Sequence, residues 1–337
     1  MEQKDKKRKK AEEMWQALEE KAKMPKRQHL PNLSGLMDED LERFIEVWAT
    51  LPVEERRQLM ETLVEMAEKD FALDFGAILR LGLSDPDASV RARAIDGLWE
   101  DEDVRLVPRL ASFLREGEAE EVRVAAAKCL AHFVLLGELQ KIRPDPFETA
   151  YTVLLDTYRD PEASVEVRRR ALESLAYAGH SEVTPAIEEA YAHPEETMRV
   201  SSIFAMGRSA DRRWIETVIE QLHHPSPQMR YEAARAAGEL SARKAVRDLV
   251  DLAEDVDIEV QQAALWALGQ IGGEQARRTL NHYLQSENEA LRDAAQEALN
   301  ELEFLHGDLS RFYGPPEDFV GEGEIPWYED KGDKWEE

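Results

Sequence analysis

The chain has 337 residues, 43% of them hydrophobic and 34% charged. That length exceeds one ordinary globular core, so several domains or a repeat array is expected. Aromatic residues are only 7%, which suits helices better than a β-rich fold. The net charge of −27 repels phosphate backbones and makes nucleic acid an unfavourable general partner. The single cysteine, Cys129, cannot build a disulfide framework within the chain. No apolar run approaches the roughly 18 residues that span a bilayer. A cytoplasmic location is the resulting expectation.

Residues 1–36 read as a basic, partly helical arm. In "KKRKKAEEMWQALEEKAK", Met14, Trp15 and Leu18 fall on one side of a helix. The basic head has no apolar run behind it, so it does not read as a secretory signal. It suits a solvated or loosely docked helix, or weak contact with an acidic partner, RNA or an anionic surface. The next stretch, "DEDLERFIEVWATLPVEERRQLMETLVEMAEKD", forms a helix pair expected to close the N-terminal end of residues 37–305.

From there one phrase recurs. An aliphatic residue followed by Arg is joined by a small residue at +4 and an apolar one at +8. It begins at Val90, Val122, Val167, Met198, Met229, Val260 and Leu291, and the last five starts are about 31 residues apart. Between Val122 and Val167 about fourteen residues are inserted around "QKIRPDPFETA". Positions 0, +4 and +8 share one stripe of a helix. Breakers such as Asp85-Pro86, Asp160-Pro161, His193-Pro194 and His224-Pro225 precede these helices. A second amphipathic segment precedes each breaker, as in "VRLVPRLASFL" and "RRWIETVIEQL". The unit is helix, turn, helix, loop. Neither helix buries its stripe alone, so the pairs must stack into an all-α solenoid of about eight antiparallel pairs. Gly207, Gly238 and Gly269 share one register and imply close helix–helix approach. Gly137, Gly179 and Gly273 read as C-terminal caps.

"DPDASVRARAIDGL" and "VQQAALWALGQIGG" resemble HEAT repeats, most nearly the short bacterial subtype first noted in phycobilisome lyases. The resemblance implies that the second helix of each pair lines a concave face. It also implies a ladder of Asp and Arg between neighbouring repeats. The Arg register reads Arg91, Arg123, Arg168, Arg199, Arg230 and Arg292, with Gln261 as the exception. The Asp register keeps Asp85 and Asp255 and substitutes His193, His224 and Ser286. Such a ladder is incomplete. Relatives with this repeat include enzymes. Deoxyhypusine hydroxylase uses His-Glu dipeptides for iron, and none of the eight histidines here precedes Glu. HEAT-like glycosylases hold DNA in a basic groove, which the acidic balance disfavours.

No phosphate loop, zinc pattern or nucleophile constellation is visible, and no metal or cofactor is expected. The function expected is a non-catalytic scaffold that binds a protein or peptide on the concave face. A lyase-like enzyme or cofactor chaperone, or nucleic-acid binding through the basic arm, are the alternatives. If the motif helix faces the concavity, columns +2 and +6 are open to partners. They gather Arg169, Phe204, Tyr231, Arg235, Gln262 and Trp266, with Tyr177, Arg208 and Gln270 at the rim. Aromatic and Arg side chains dominate binding hot spots, so the patch is expected to select an acidic or aromatic peptide. The competing reading tucks Phe204 and Trp266 into inter-repeat packing. Residues 306–337 form an acidic tail rich in Pro and Gly. Its Phe312, Tyr313, Phe319, Trp327, Tyr328 and Trp335 suit a docking motif, a cap on the last repeat, or a segment that folds back onto the patch.

Overall fold

The computed structural model describes residues 12–19, 23–115 and 118–306. The tail aromatics Phe312, Tyr313, Phe319, Trp327, Tyr328 and Trp335 lie outside the described residues, as does the basic head. Every regular element among the described residues is helical. Residues 12–19 form α1. Eight antiparallel pairs follow, beginning with α2 (Asp38–Thr50) and α3 (Val53–Lys69), then α4 (Gly76–Gly82) and α5 (Ala88–Asp96). Next come α6 (Leu106–Arg115) with α7 (Glu120–Glu138), α8 (Pro144–Arg159) with α9 (Val165–Leu175), and α10 (Val183–Tyr191) with α11 (Glu196–Arg208). The last three are α12 (Ile215–Gln221) with α13 (Pro227–Glu239), α14 (Val246–Leu252) with α15 (Ile258–Ile271), and α16 (Glu274–Tyr283) with α17 (Glu289–His306).

The repeated stripe is the core. Every residue at positions 0, +4 and +8 of the seven motif helices, from Val90 to Leu299, is at most 7% exposed. The second helices, α5 to α17, pack directly on one another in a row. The first helices of successive pairs touch far less, α6 and α8 excepted. The row in closer contact forms the inner side of the bend, which puts the motif helices on the concave face. Small residues allow that closeness. A Cβ on Gly207 would lie 2.8 Å from Ala236 Cα, and one on Gly238 would lie 3.0 Å from Ala267 Cα. One on Gly269 would lie 2.6 Å from the Ala298 carbonyl oxygen.

The turns ahead of α5, α11, α13, α15 and α17 are wired twice. The side chain at the Asp register accepts the N–H two residues on, and the Arg register reaches back to its carbonyl. Asp85 accepts from Asp87 N at 2.9 Å while Arg91 Nη1 donates to Asp85 O at 2.7 Å. His193 and His224 do the same through Nδ1, each at 3.1 Å, under Arg199 and Arg230. An accepting Nδ1 requires a neutral ring with its proton on Nε2. Asp255 is bound by Gln261 and Ser286 by Arg292, so Gln261 keeps the turn bond without the charge. Side-chain caps on Asp87, Ser164 and Asp257 hold the starts of α5, α9 and α15.

The charged ladder exists only where the following turn offers a carboxylate. Arg230 grips Asp255 with two bonds of 2.7 and 2.8 Å, and Arg56 Nε lies 2.8 Å from Asp85. Arg91 reaches Glu118 at 2.5 Å. Arg168 and Arg199 face His193 and His224 in the same register. They are left with Glu189 at 4.0 Å and Glu196 at 3.9 Å.

The insertion is placed, and two expectations change. The inserted residues after Val122 are extra turns, since α7 and α8 are 19 and 16 residues long. Gly137 does not cap a helix. It lies within α7, where the ring of Phe147 occupies the space of a Cβ. Gly273 starts α16, and Gly272 (φ 71°) ends α15. Gly179 is not left-handed either; its N–H donates to Glu138 at 3.0 Å. Nor is the described helix of the N-terminal arm, residues 12–19, loose. Met14, Trp15 and Leu18 are buried in the same core as Leu30, Leu33 and Phe44, and the Arg43 guanidinium lies 4.2 Å from the Trp15 ring centre.

Ala210 (φ 52°) and Ser241 (φ 49°) hold the left-handed position that Gly272 holds one repeat later. Ala210→Gly should therefore stabilise the fold by about 0.5–1 kcal/mol. Gly238→Ala should cost about 2–3 kcal/mol, because the Ala267 backbone must move. Urea titrations of the two variants check these opposite signs. His224→Asp should give Arg199 the partner that Asp255 gives Arg230 and raise stability by about 1 kcal/mol, measured the same way at low and high salt.

Candidate functional site

All nine side chains expected at the patch are half-buried on the motif helices or the turns that follow them. The structure joins them into two cation–aromatic stacks. The Arg208 guanidinium lies 5.3 Å from the Phe204 ring centre and 5.7 Å from that of Tyr177, spanning two repeats. Arg235 lies 3.6 Å from the Trp266 ring centre. Trp266 also packs against its neighbour, since a Cβ at Gly238 would meet its ring at 2.6 Å. Tyr177, Tyr231 and Trp266 thus contribute to inter-repeat packing while keeping an open face. Gln262 and Gln270 are peripheral: Gln262 donates to Ala290 O at 3.4 Å, and the Gln270 carbonyl accepts from His306.

Most of the arginines are already matched by carboxylates. Arg169 binds Glu166 at 2.5 Å and Glu173 at 3.2 Å, and Arg170 binds the same two. Ser201 donates to Glu173 at 2.6 Å, which ties α9 to α11. Arg208 Nη2 lies 3.1 Å from Glu239. Two charges on α13 remain outside these pairs. Arg235 rests on Trp266, and Glu232, one turn earlier, has no hydrogen bond or ion pair among the described residues. Burial, with Glu173 and Glu239 close by, pushes the Glu232 carboxyl up to about 7, against the pull of Arg235 and Arg208. Burial also raises Glu239, though Arg208 and Arg235 oppose it. The arginines of the patch are thus close to balanced by carboxylates.

Beside Glu232 the concave face dips into a groove of about 420 Å³, walled by Val200, Tyr231, Val260 and the stems of Arg169 and Glu259. The carboxylates were not singled out from sequence. Glu232 sits at +3, between the two columns followed, and the partner of Glu239 lies one repeat away. Elsewhere the chemistry is quiet. Cys129 is buried, donates to Leu98 O, and has its thiol pushed up to about 12 by that burial. Among the described residues no group of three His, Cys, Asp or Glu is placed to hold a metal, and no helix is long and apolar enough to cross a membrane.

A stack of helix pairs with this stripe and these turns defines a class, the helical-repeat solenoid. Residues 76–166 and 215–300 match the HEAT-repeat family, and residues 167–193 match the HEAT-like repeat of PBS lyases. These stretches exceed half of the chain, and the protein belongs to the HEAT-repeat family. No curated protein matches the sequence at a significant level. Similar solved structures include the CpcE–CpcF complex of phycocyanin lyase from Nostoc sp. PCC7120, at 20% identity and a TM-score of 0.45, covering 68% of this chain and 94% of that one. Human deoxyhypusine hydroxylase is similar at 18% identity and a TM-score of 0.36, over 78% and 97% of the two chains. A designed armadillo repeat protein in complex with the peptide (KR)4 is similar at 18% identity and a TM-score of 0.38, over 58% and 99%.

Glu232 sets a pH dependence. Its ordinary value is 4.5 and its folded value about 7, so the folded chain holds more protons between them. Stability therefore falls as pH rises through that window. Glu232→Gln removes the cost and should stabilise the protein by on the order of 2–3 kcal/mol at pH 8.5, with the gain fading towards pH 4. Denaturation of both forms across that range checks the trend.

Proposed function

We propose that this protein is a non-catalytic scaffold whose concave face, over α9 to α15, binds a segment of another protein. The observation that carries the reading is the placement of two guanidinium–aromatic stacks beside the 420 Å³ groove. Large flat side chains held in place by a cation lose little freedom when a partner docks, which is what binding hot spots require. Arg235 and Glu232 supply the polar reading. The first offers donors to a carboxylate or carbonyl, and the second offers an acceptor to a donor group. The bound segment therefore combines an apolar or aromatic anchor with both kinds of polar group. This is narrower than an acidic ligand, since Arg169, Arg170 and Arg208 are already matched. A cytoplasmic setting belongs to the same proposal and rests on the lone buried thiol of Cys129.

The test is affinity capture with the wild-type chain and with a Phe204→Ala/Arg235→Ala/Trp266→Ala variant of matched thermal stability. The wild type should retain a defined protein, and the variant should bind it at least about 100-fold more weakly. Equal affinity in both would place the interaction on another face. Removing Arg235 alone should cost about tenfold and reduce the salt dependence.

A further inference from the structure

At the N-terminal end, on α3 to α5 and sharing no residue with the groove over α9 to α15, a second hollow of about 540 Å³ opens. Its floor is apolar and buried, made by Val64, Phe75, Leu79 and Leu98. Two exposed large aromatics stand at its sides: Phe71 is 85% exposed and Trp99 is 54% exposed. Single exposed apolar residues need no explanation, but two that border one apolar hollow do.

Trp99 also breaks the repeat. It stands nine positions after Val90, the register held by Ala131, Ala176, Gly207, Gly238 and Gly269 in the next five repeats. There a small residue lets neighbouring helices touch. In this repeat α5 ends early, at Asp96, and the indole turns out to solvent instead. More than half of that side chain is left out of the stacking.

The lining of the hollow carries charge of one sign, while Arg93 and Lys128, which line the adjoining hollow beyond Glu68 and Trp99, are both paired with Asp96. Glu68, Asp74, Glu100 and Asp101 line it, with no lysine or arginine among the lining residues. Asp101 is taken by Arg80, and Asp74 accepts the Gly76 N–H at 2.8 Å. Glu68 and Glu100 have no partner among the described residues. This sign selects between occupants. A second copy would bring the same acidic rim against itself, and residues 306–337 are acidic too. Residues 2–10 are basic but contain no apolar side chain to fill the hollow.

We propose that this hollow is a docking site for a segment of another protein that inserts one apolar side chain between Phe71 and Trp99 and sets a lysine or arginine on either side of it, facing Glu68 and Glu100. The site is separate from the concave groove and independent of its role.

Fluorescence anisotropy with labelled hexapeptides on the full chain tests this. The probe is Lys-Arg-Leu-Leu-Lys-Arg, with Lys-Arg-Ser-Ser-Lys-Arg and Glu-Asp-Leu-Leu-Glu-Asp as controls. The wild type should bind the first at least about tenfold more tightly than either control. Phe71→Ala/Trp99→Ala should abolish that preference for leucine over serine. Both side chains are exposed, so the double variant should melt as the wild type does. Glu68→Lys/Glu100→Lys should transfer the preference to the acidic peptide. The Phe204→Ala/Arg235→Ala/Trp266→Ala variant should bind the basic leucine peptide as the wild type does. Equal binding of the leucine and serine peptides by the wild type would reduce the effect to general attraction by a −27 chain and overturn the proposal. An undiminished leucine preference in the Phe71/Trp99 variant would overturn it as well, as would self-association of the wild type that this variant abolishes.

Discussion

The closeness of successive motif helices is the constraint on which the rest depends. Gly207, Gly238 and Gly269 face Ala236, Ala267 and Ala298 with no room for a further methyl group. A helix interior glycine costs about 1 kcal/mol against alanine, and each contact must outweigh that. It does so by letting the buried stripe of one pair continue into the next, so that no repeat has a core of its own. The same closeness draws the second helices together on one side. That bends the stack, and the bend turns columns +2 and +6 into a shared surface on which Arg208 can reach Tyr177 and Phe204 from different repeats.

Turn chemistry keeps the register while the residues vary. Asp85, His193, His224, Asp255 and Ser286 differ in charge and size, yet each accepts the N–H two residues on. Each also has its carbonyl held by the Arg or Gln six positions later. What the fold demands is an acceptor at the right reach, which carboxylate, imidazole and hydroxyl all supply. The carboxylate alone adds a bridge to the preceding repeat. The turns are therefore cross-linked by charge at Arg56–Asp85, Arg91–Glu118 and Arg230–Asp255, whereas between α9 and α13 the polar ties run along the motif helices, from Ser201 to Glu173 and from Arg208 to Glu239.

Much of this was legible in sequence because burial repeats with a local period. The stripe at 0, +4 and +8 is buried throughout, the eight pairs form as the spacing implies, and the nine patch residues are half-buried on the motif helices or the turns that follow them. What escaped depends on neighbours about 30 residues away or on where helices stop. Fourteen extra residues look the same in sequence whether they make a loop or lengthen α7 and α8. Gly137 resembles a cap until Phe147 is seen against it. Trp99 has the spacing of a packing residue, and only the early end of α5 exposes it. Charges escaped most fully, since Arg208 and Glu239 belong to one pair across two repeats that no helical period connects.

The cluster around α13 shows what imperfect pairing leaves on the surface. Complete neutralisation of Glu166, Glu173, Glu239, Arg169, Arg170 and Arg208 gives a rigid surface with little left to offer a partner. Glu232 and Arg235 stand one turn apart on the same helix and are not paired with each other. Burying a carboxylate without a partner is unfavourable, and the cost appears as its raised affinity for a proton. In the proposed role, a donor group arriving in the groove would replace that proton and relieve the cost, so free energy withheld from folding would become available to binding. The fold can sustain the deficit because its stability is spread along eight stacked pairs and does not rest on any one side chain.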